Sequence, residues 1–171
     1  VCHPLDGKSF YGNRPDSTYI DATGGWHDAG DQLKYLITGS NATARMLMAY
    51  QWNPNVFEDK VNDLGLPQPN GIADVLDEAK WGLDWIHKLH PTREQLKHQV
   101  ADDRDHLGFK MPHEDAANYG WGKNKYRPAY FANGKPQGLG KYKSESTGVS
   151  NVAGRSAAAL ALGHQVFKDI P

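Results

Sequence analysis

Apolar residues in steps of three and four, Ile72, Val75, Leu76, Ala79, Leu83, Ile86 and Leu89, constrain this chain more than any other feature in it. They demand a helix with one buried face. Asn70 stands where a cap belongs, and Pro91 stands where the helix must stop. Trp81 and Trp85, four residues apart, share its flank and are expected in the core. A stripe of this kind has to be covered by other elements, and two further stretches carry the same period. From Asp31 the positions Leu33, Leu36, Ile37, Ala44, Leu47, Met48 and Trp52 recur at helical spacing until Pro54, with Gly39 and Ser40 weakening the middle. From about Ser150 to Phe167 the residues Val152, Ala153, Ser156, Ala157, Leu160 and Ala161 are small enough for close helix packing. The helix starts are unevenly spaced, so no fixed repeat is present. The fold class read from these stretches is mainly α.

Between the second and third helices runs a stretch from Pro91 to Gly148, rich in Gly, Asn, Lys and Tyr and without sustained period of either kind. Its aromatics Tyr119, Trp121, Tyr126, Tyr130 and Phe131 argue for order, and a long ordered loop points to binding. The overall charge narrows what is bound: 19 Lys and Arg stand against 20 Asp and Glu in 171 residues, with no basic run. That balance offers nothing to a phosphate backbone, so nucleic acid is not expected and a neutral ligand fits better. No segment approaches the ~18 apolar residues of a membrane span, so no membrane partner is expected either. Cys2 is the only cysteine, which excludes an internal disulfide. The sequence opens at Val1 without the apolar core of a signal peptide, so any targeting segment is expected to lie outside it.

The residues with chemistry sit just ahead of the first helix, in Asp21-Ala-Thr-Gly-Gly-Trp-His-Asp-Ala-Gly-Asp31. Asp28 and Asp31 lie three apart where a Gly-rich loop runs into the helical period. Amides and the positive dipole end of a helix N-terminus favour ionised carboxylates, which suit a base holding a water. Both face the same side of any substrate. Inverting glycoside hydrolysis needs base and acid about 6.5 to 9.5 Å apart across the scissile bond, so an acid for such a reaction must come from elsewhere. The spacing alone leaves a second reading open, in which Asp28 caps the helix and Asp31 is its first-turn partner.

Gly24-Gly25-Trp26-His27-Asp28-Ala29-Gly30-Asp31 with Lys34-Tyr35 resembles the N-terminal catalytic signature of glycoside hydrolase family 9, the inverting cellulases. Asp74-Val75-Leu76-Asp77-Glu78-Ala79-Lys80-Trp81-Gly82-Leu83-Asp84-Trp85-Ile86 resembles the next helix of that family. Asp105-His106 followed by Tyr119-Gly120-Trp121-Gly122 resembles its substrate-cleft loop, and Ser146-Thr147-Gly148 with Ala153 to Gly163 the helix after that. The match runs in family order over essentially the whole chain. It implies an (α/α)6 barrel of some twelve helices, with residues 1–171 the N-terminal part of a single catalytic domain. It also implies hydrolysis of β-1,4-glucan, cellulose or a related β-glycan, with inversion, by a secreted, extracellular or periplasmic enzyme. By the resemblance Asp31 is the general base and Asp28 helps to fix the nucleophilic water.

The family places its catalytic acid, a Glu, near the far end of the domain with late His and Arg residues, and Glu58, Glu78, Glu114 and Glu145 match none of these contexts. The expected activity of the isolated chain is therefore low, and the competing reading is a non-catalytic carbohydrate-binding or degenerate module. A third is a structural helical domain. Uncovered barrel helices favour self-association. Where the family contacts sugar, His106 is expected to bond ring hydroxyls, and Trp26, Tyr119 and Trp121 to offer flat faces to β-glucan or a cello-oligosaccharide. The stretch Asp102-Asp103-Arg104-Asp105 otherwise reads as solvent-facing. Cys2-His3 is similar to the start of a structural zinc site in one branch of the family, which makes Cys2, His3 and His27 three ligands of a partial zinc site with a fourth ahead of Val1. No organic cofactor is implied. His113, Glu114 and Asp115 read as a solvated loop, because adjacent residues point in different directions.

Overall fold

The computed structural model describes residues 2–11, 14–106, 108–139, 142–144 and 148–170. Glu145, Ser146 and Thr147, part of one matched segment, lie outside the described residues. The helical stretches form α1 (Leu36–Trp52), α2 (Asp74–Lys88) and α3 (Val149–Phe167). In α2 the stripe is buried as expected through Leu76, Ala79, Trp85 and Ile86, with Asp74 and Asp77 at the positive end of the dipole and His87 and Lys88 at the negative end. Its start is four residues later than Asn70. Asn70 instead makes a turn of its own, accepting from the Ile72 amide and donating to Asp77. Of the two tryptophans, Trp85 is sealed and donates Nε1–H to the carbonyl of Ala22, but Trp81 is 42% exposed and belongs to the surface.

Small residues set how closely the helices meet. A Cβ at Gly82 of α2 would come within 2.1 Å of Thr43 Oγ1 on α1 and 2.5 Å of the Trp26 ring. Gly39 and Ser40, which looked like weak points of α1, are both buried, Gly39 against Trp85 and Ser40 donating to the Leu36 carbonyl. In α3 the buried face is Val152, Ser156, Ala159, Gly163 and Val166, while Ala153, Ala157 and Ala161 point outward, a rotation of the face read from the sequence.

A sheet joins these helices, and here the expectation of an irregular loop from 91 to 148 is corrected, because strands lie within that stretch. The strands are β1 (Asp6–Tyr11), β2 (Arg14–Tyr19), β3 (Lys34–Tyr35), β4 (Lys97–Val100) and β5 (Arg127–Phe131), in the order β2-β1-β5-β4-β3. β1 and β5 run parallel, and the other neighbours antiparallel. A separate hairpin pairs β6 (Gln137–Leu139) with β7 (Tyr142–Ser144). β4 and most of β5 are buried on both faces, so neither alternates, and their Lys97, His98, Gln99 and Arg127 give them the composition of a loop. The main core joins Leu36, Trp85, Ile86 and Leu89 to Val100 and Ala129, which seats the sheet on the helices. Among the described residues three α-helices are present and none is long and apolar enough to cross a membrane. The three do not by themselves close a barrel of twelve.

Two measurements follow from this packing. Gly82→Ala is expected to destabilise by about 1–3 kcal/mol through overpacking, whereas Gly154→Ala, where a Cβ meets nothing within 4 Å, should be neutral or gain up to about 1 kcal/mol; urea unfolding of both variants checks the contrast. Burial holds the His98 imidazole at about 4 against an ordinary 6.5. Between those values the unfolded chain binds the proton and the native state does not, so this contribution is complete above pH 6.5 and is lost as pH falls toward 4. Thermal melts across that window should fall, and fall less steeply in His98→Gln.

Candidate active site

The loop from Gly24 to Leu33 is fixed from below and closed on itself. Gly25 has φ +68 and a Cβ there would lie 2.4 Å from the Trp85 ring, so only glycine lets the loop turn over that side chain. Lys34, buried at the start of β3, donates Nζ–H to the carbonyl of Gly24 at 2.6 Å and to Asp6 at 2.7 Å. The Asp28 amide donates to the Leu33 carbonyl at 2.8 Å, and the Leu33 amide donates back to Asp31 Oδ1 at 2.9 Å.

These bonds place the two carboxylates. Asp28 is exposed, with Oδ1 accepting from the Thr38 hydroxyl at 2.9 Å. Asp31 is 7% exposed, and its Oδ2 lies 3.6 Å from Nε2 of His106. His106 is itself open to solvent and has Asp103 Oδ1 3.8 Å from Nδ1. Tyr35 completes the group: burial, then the carboxylates of Asp31, Asp28 and Asp103, push its hydroxyl up to about 12, so it stays a proton donor. Sequence reading included Tyr35 only as part of a motif. The structure thus sets Asp31 against His106, with Asp28 held on the same loop by Thr38, and not at a helix N-terminus. α1 begins at Leu36, its cap position is Tyr35, and no side chain caps it, so both the dipole argument and the helix-capping alternative for Asp28 and Asp31 fall away.

Beneath the loop runs a chain of buried ion pairs. Asp6 accepts from Arg127 Nε and Nη2 at 2.6 and 2.8 Å as well as from Lys34. Burial pushes the Asp6 carboxyl up, and Arg127 and Lys34 outweigh it, leaving that carboxyl below its ordinary value. Arg127 Nη1 continues to the Gln32 carbonyl and to Asp105 Oδ2, and Lys110 bridges Asp105 and Asp115 at 3.4 and 3.0 Å. Asp102 and Asp105 are fully buried, which corrects the solvent-facing reading of that stretch. Asp102 takes both Arg104 and the Tyr130 hydroxyl, and so anchors the turn that carries His106.

Of the three aromatic residues, Tyr119 is placed differently from expectation. Tyr119 is 5% exposed, with its hydroxyl on Asp105 at 2.7 Å and the Arg104 guanidinium over its ring, so it supports the His106 turn from inside. Trp26 is half-buried against Gly82 and donates Nε1–H to Glu78. Trp121 is half-buried and meets Tyr126 edge to face at 6.4 Å.

Behind the loop, Cys2, His3 and His27 bring one donor atom each within 4.8 Å of one another. A thiolate sulfur and an imidazole nitrogen on one tetrahedral zinc, at about 2.3 and 2.1 Å from the ion, stand about 3.6 Å apart. Cys2 Sγ is 3.6 Å from His27 Nε2. Burial, with Lys34 and Arg127, holds the His27 imidazole at about 4, so it is neutral and able to ligate. His3 Nδ1 is buried with no hydrogen-bond partner. The donor set fits zinc.

The sequence model described as Glycosyl hydrolase family 9 matches residues 1–171. The chain belongs to that family. It is 34% identical over 119 residues to Endoglucanase D of Acetivibrio thermocellus, covering 67% of this chain and 18% of that protein. It is 31% identical over 150 residues to Endoglucanase 21 of Oryza sativa subsp. japonica, covering 87% and 23%. Among solved structures, an endoglucanase from the termite Nasutitermes takasagoensis aligns with a TM-score of 0.58 at 26% identity over 88% of this chain and 29% of that one. The chain therefore spans less than a third of the length of each of these relatives.

Removing the central cation of the ion-pair chain should be costly. Arg127→Met leaves two buried carboxylates short of a partner, and a loss of about 3–5 kcal/mol is expected by denaturant unfolding.

Proposed function

We propose that residues 1–171 are the base-bearing N-terminal part of a single (α/α)6-barrel catalytic domain, and that the whole protein hydrolyses β-1,4-glucan, cellulose or a related β-glycan, with inversion. The observation that carries this reading is the setting of Asp31: Oδ1 is pinned by the Leu33 amide, and Oδ2 is turned toward the exposed His106. A carboxylate fixed in that way accepts a proton from water in one direction only. Asp31 takes the proton as the water oxygen attacks the anomeric carbon, and Asp28, its own position set by Thr38, holds the same water from the other side. His106 bonds a hydroxyl of the sugar beside the base, and Trp121 lies against a ring face. The departing oxygen takes its proton from a glutamic acid that the family resemblance puts late in the domain, about 6.5 to 9.5 Å from the base.

The same reading gives the neighbouring features a place. Cys2, His3 and His27 hold a structural zinc, which ties the N-terminal segment to the catalytic loop because His27 adjoins Asp28. Exposed Trp52, Val56, Leu64 and Leu66 belong to a surface that further helices of the barrel, or a second copy, cover. The polymeric substrate implies an extracellular or periplasmic site of action.

The test is product stereochemistry together with one substitution in the full-length protein. Cleavage should release the α-anomer first by NMR, and Asp31→Ala should lower turnover about 10²- to 10⁴-fold with the circular dichroism spectrum unchanged. An initial β-anomer, or near-normal turnover in the variant, contradicts the assignment.

A further inference from the structure

The cluster of Cys2, His3 and His27 leaves one of its neighbours unexplained. Asp115 was read from sequence as part of a solvated turn, yet it is 5% exposed and faces inward, while His113 and Glu114 beside it stay outside. Its two oxygens are divided. Oδ1 accepts from Lys110 Nζ and from the Ala117 amide, both at 3.0 Å, and Oδ2 is 3.1 Å from His3 Nε2. A carboxylate only accepts, so the hydrogen in the last contact belongs to His3 Nε2. The other nitrogen of a neutral ring then carries a bare lone pair. That nitrogen is Nδ1, the atom buried with no hydrogen-bond partner, in a side chain that is 11% exposed. An unpartnered buried acceptor is unfavourable unless something occupies it. Since Nε2 is engaged, Nδ1 is the nitrogen His3 has to offer to the group it forms with Cys2 and His27. Cys2 is exposed, which leaves a way in for an ion.

We propose that Asp115 is the positioning residue of this metal site, fixing His3 as the Nε2–H tautomer with Nδ1 aimed at the ion. The arrangement is a carboxylate, an imidazole and a metal in line, in which the carboxylate sets ring orientation and strengthens the ligand. Asp115 is in turn held by Lys110, which also holds Asp105, and Asp105 takes Tyr119 and Arg127. The carboxylate that holds His3 is therefore the outer end of the ion-pair chain that supports the His106 turn. This inference rests on the zinc reading proposed above.

The experiment separates the two. Full-length protein is stripped with a chelator and titrated with zinc against a chromophoric chelator, and with cobalt(II) to follow the thiolate charge-transfer band. The unsubstituted protein should bind one ion with a band that Cys2→Ser abolishes. Asp115→Asn should weaken zinc binding about 10- to 100-fold while keeping the band at saturating cobalt, and Asp115→Glu should recover part of the loss. Independently of any variant, long-range 1H–15N spectra of the metal-free protein should show His3 protonated at Nε2 and bare at Nδ1. Zinc affinity in Asp115→Asn within twofold of the unsubstituted protein overturns the role of Asp115 and leaves the zinc reading standing, as does a His3 protonated at Nδ1. No metal binding by the unsubstituted protein overturns both.

Discussion

Asp6 is sealed from solvent and still carries a charge, and the arrangement of this molecule follows from the partners it requires. An isolated carboxylate in that position would cost several kcal/mol, so Arg127 and Lys34 must reach it. Arg127 arrives on β5, which brings that strand parallel to β1 with Asp6 and Arg127 in register. Lys34 arrives from the segment just before α1, and on the way it fastens the carbonyl of Gly24. The alternation then continues through Asp105, Lys110 and Asp115, so that three carboxylates alternate with three cations. Loss of a central member such as Arg127 strands charge away from water, because Asp6 and Asp105 both depend on it.

The candidate site sits at the surface above these ion pairs rather than among them. Lys34 holds one end of the Gly24–Leu33 loop, and Asp105 with Tyr119 holds the turn that ends at His106. Asp31 and His106 therefore approach each other from two segments more than seventy residues apart, each tied to the same buried charges. Neither needs to be rigid on its own account. The relative placement of these two side chains is borrowed from the ion pairs beneath, and this explains why so many ionisable groups next to the candidate site face the interior.

Periodicity made α2 and the end of α3 legible, because a buried stripe on a helix repeats regardless of what covers it. The strands were hidden for the opposite reason: β4 and β5 are buried on both sides and contribute Lys97 and Arg127 to the interior, a pattern that reads as loop until the partners are known. Asp28 and Asp31 were conspicuous by spacing, but spacing placed them on a helix start that lies five residues further on, at Leu36. Only the resemblance singled out His106. Tyr35 and Asp105 stood in the sequence only inside matched motifs and Asp115 only in a stretch that reads as solvated loop, since what defines the role of each is a partner distant in sequence or buried charge around it. Tyr119 illustrates the same limit, an aromatic in a Gly-rich stretch that looked like a platform and serves as a buried hydroxyl donor.

If the loop owes its shape to the buried charges, its amides must open only when those charges do. Native-state hydrogen exchange reads this directly at Asp28, whose amide donates to Leu33, and at Leu33, whose amide donates to Asp31. Ala101 and Ala132, whose amides are bonded across the sheet to Pro128 and Leu96, report its unfolding. The two loop amides should exchange with the same free energy and the same denaturant dependence as the two sheet amides. Exchange at Asp28 and Leu33 that is orders of magnitude faster and insensitive to denaturant, with Ala101 and Ala132 still protected, would show a loop that moves independently of the ion pairs and would contradict that expectation.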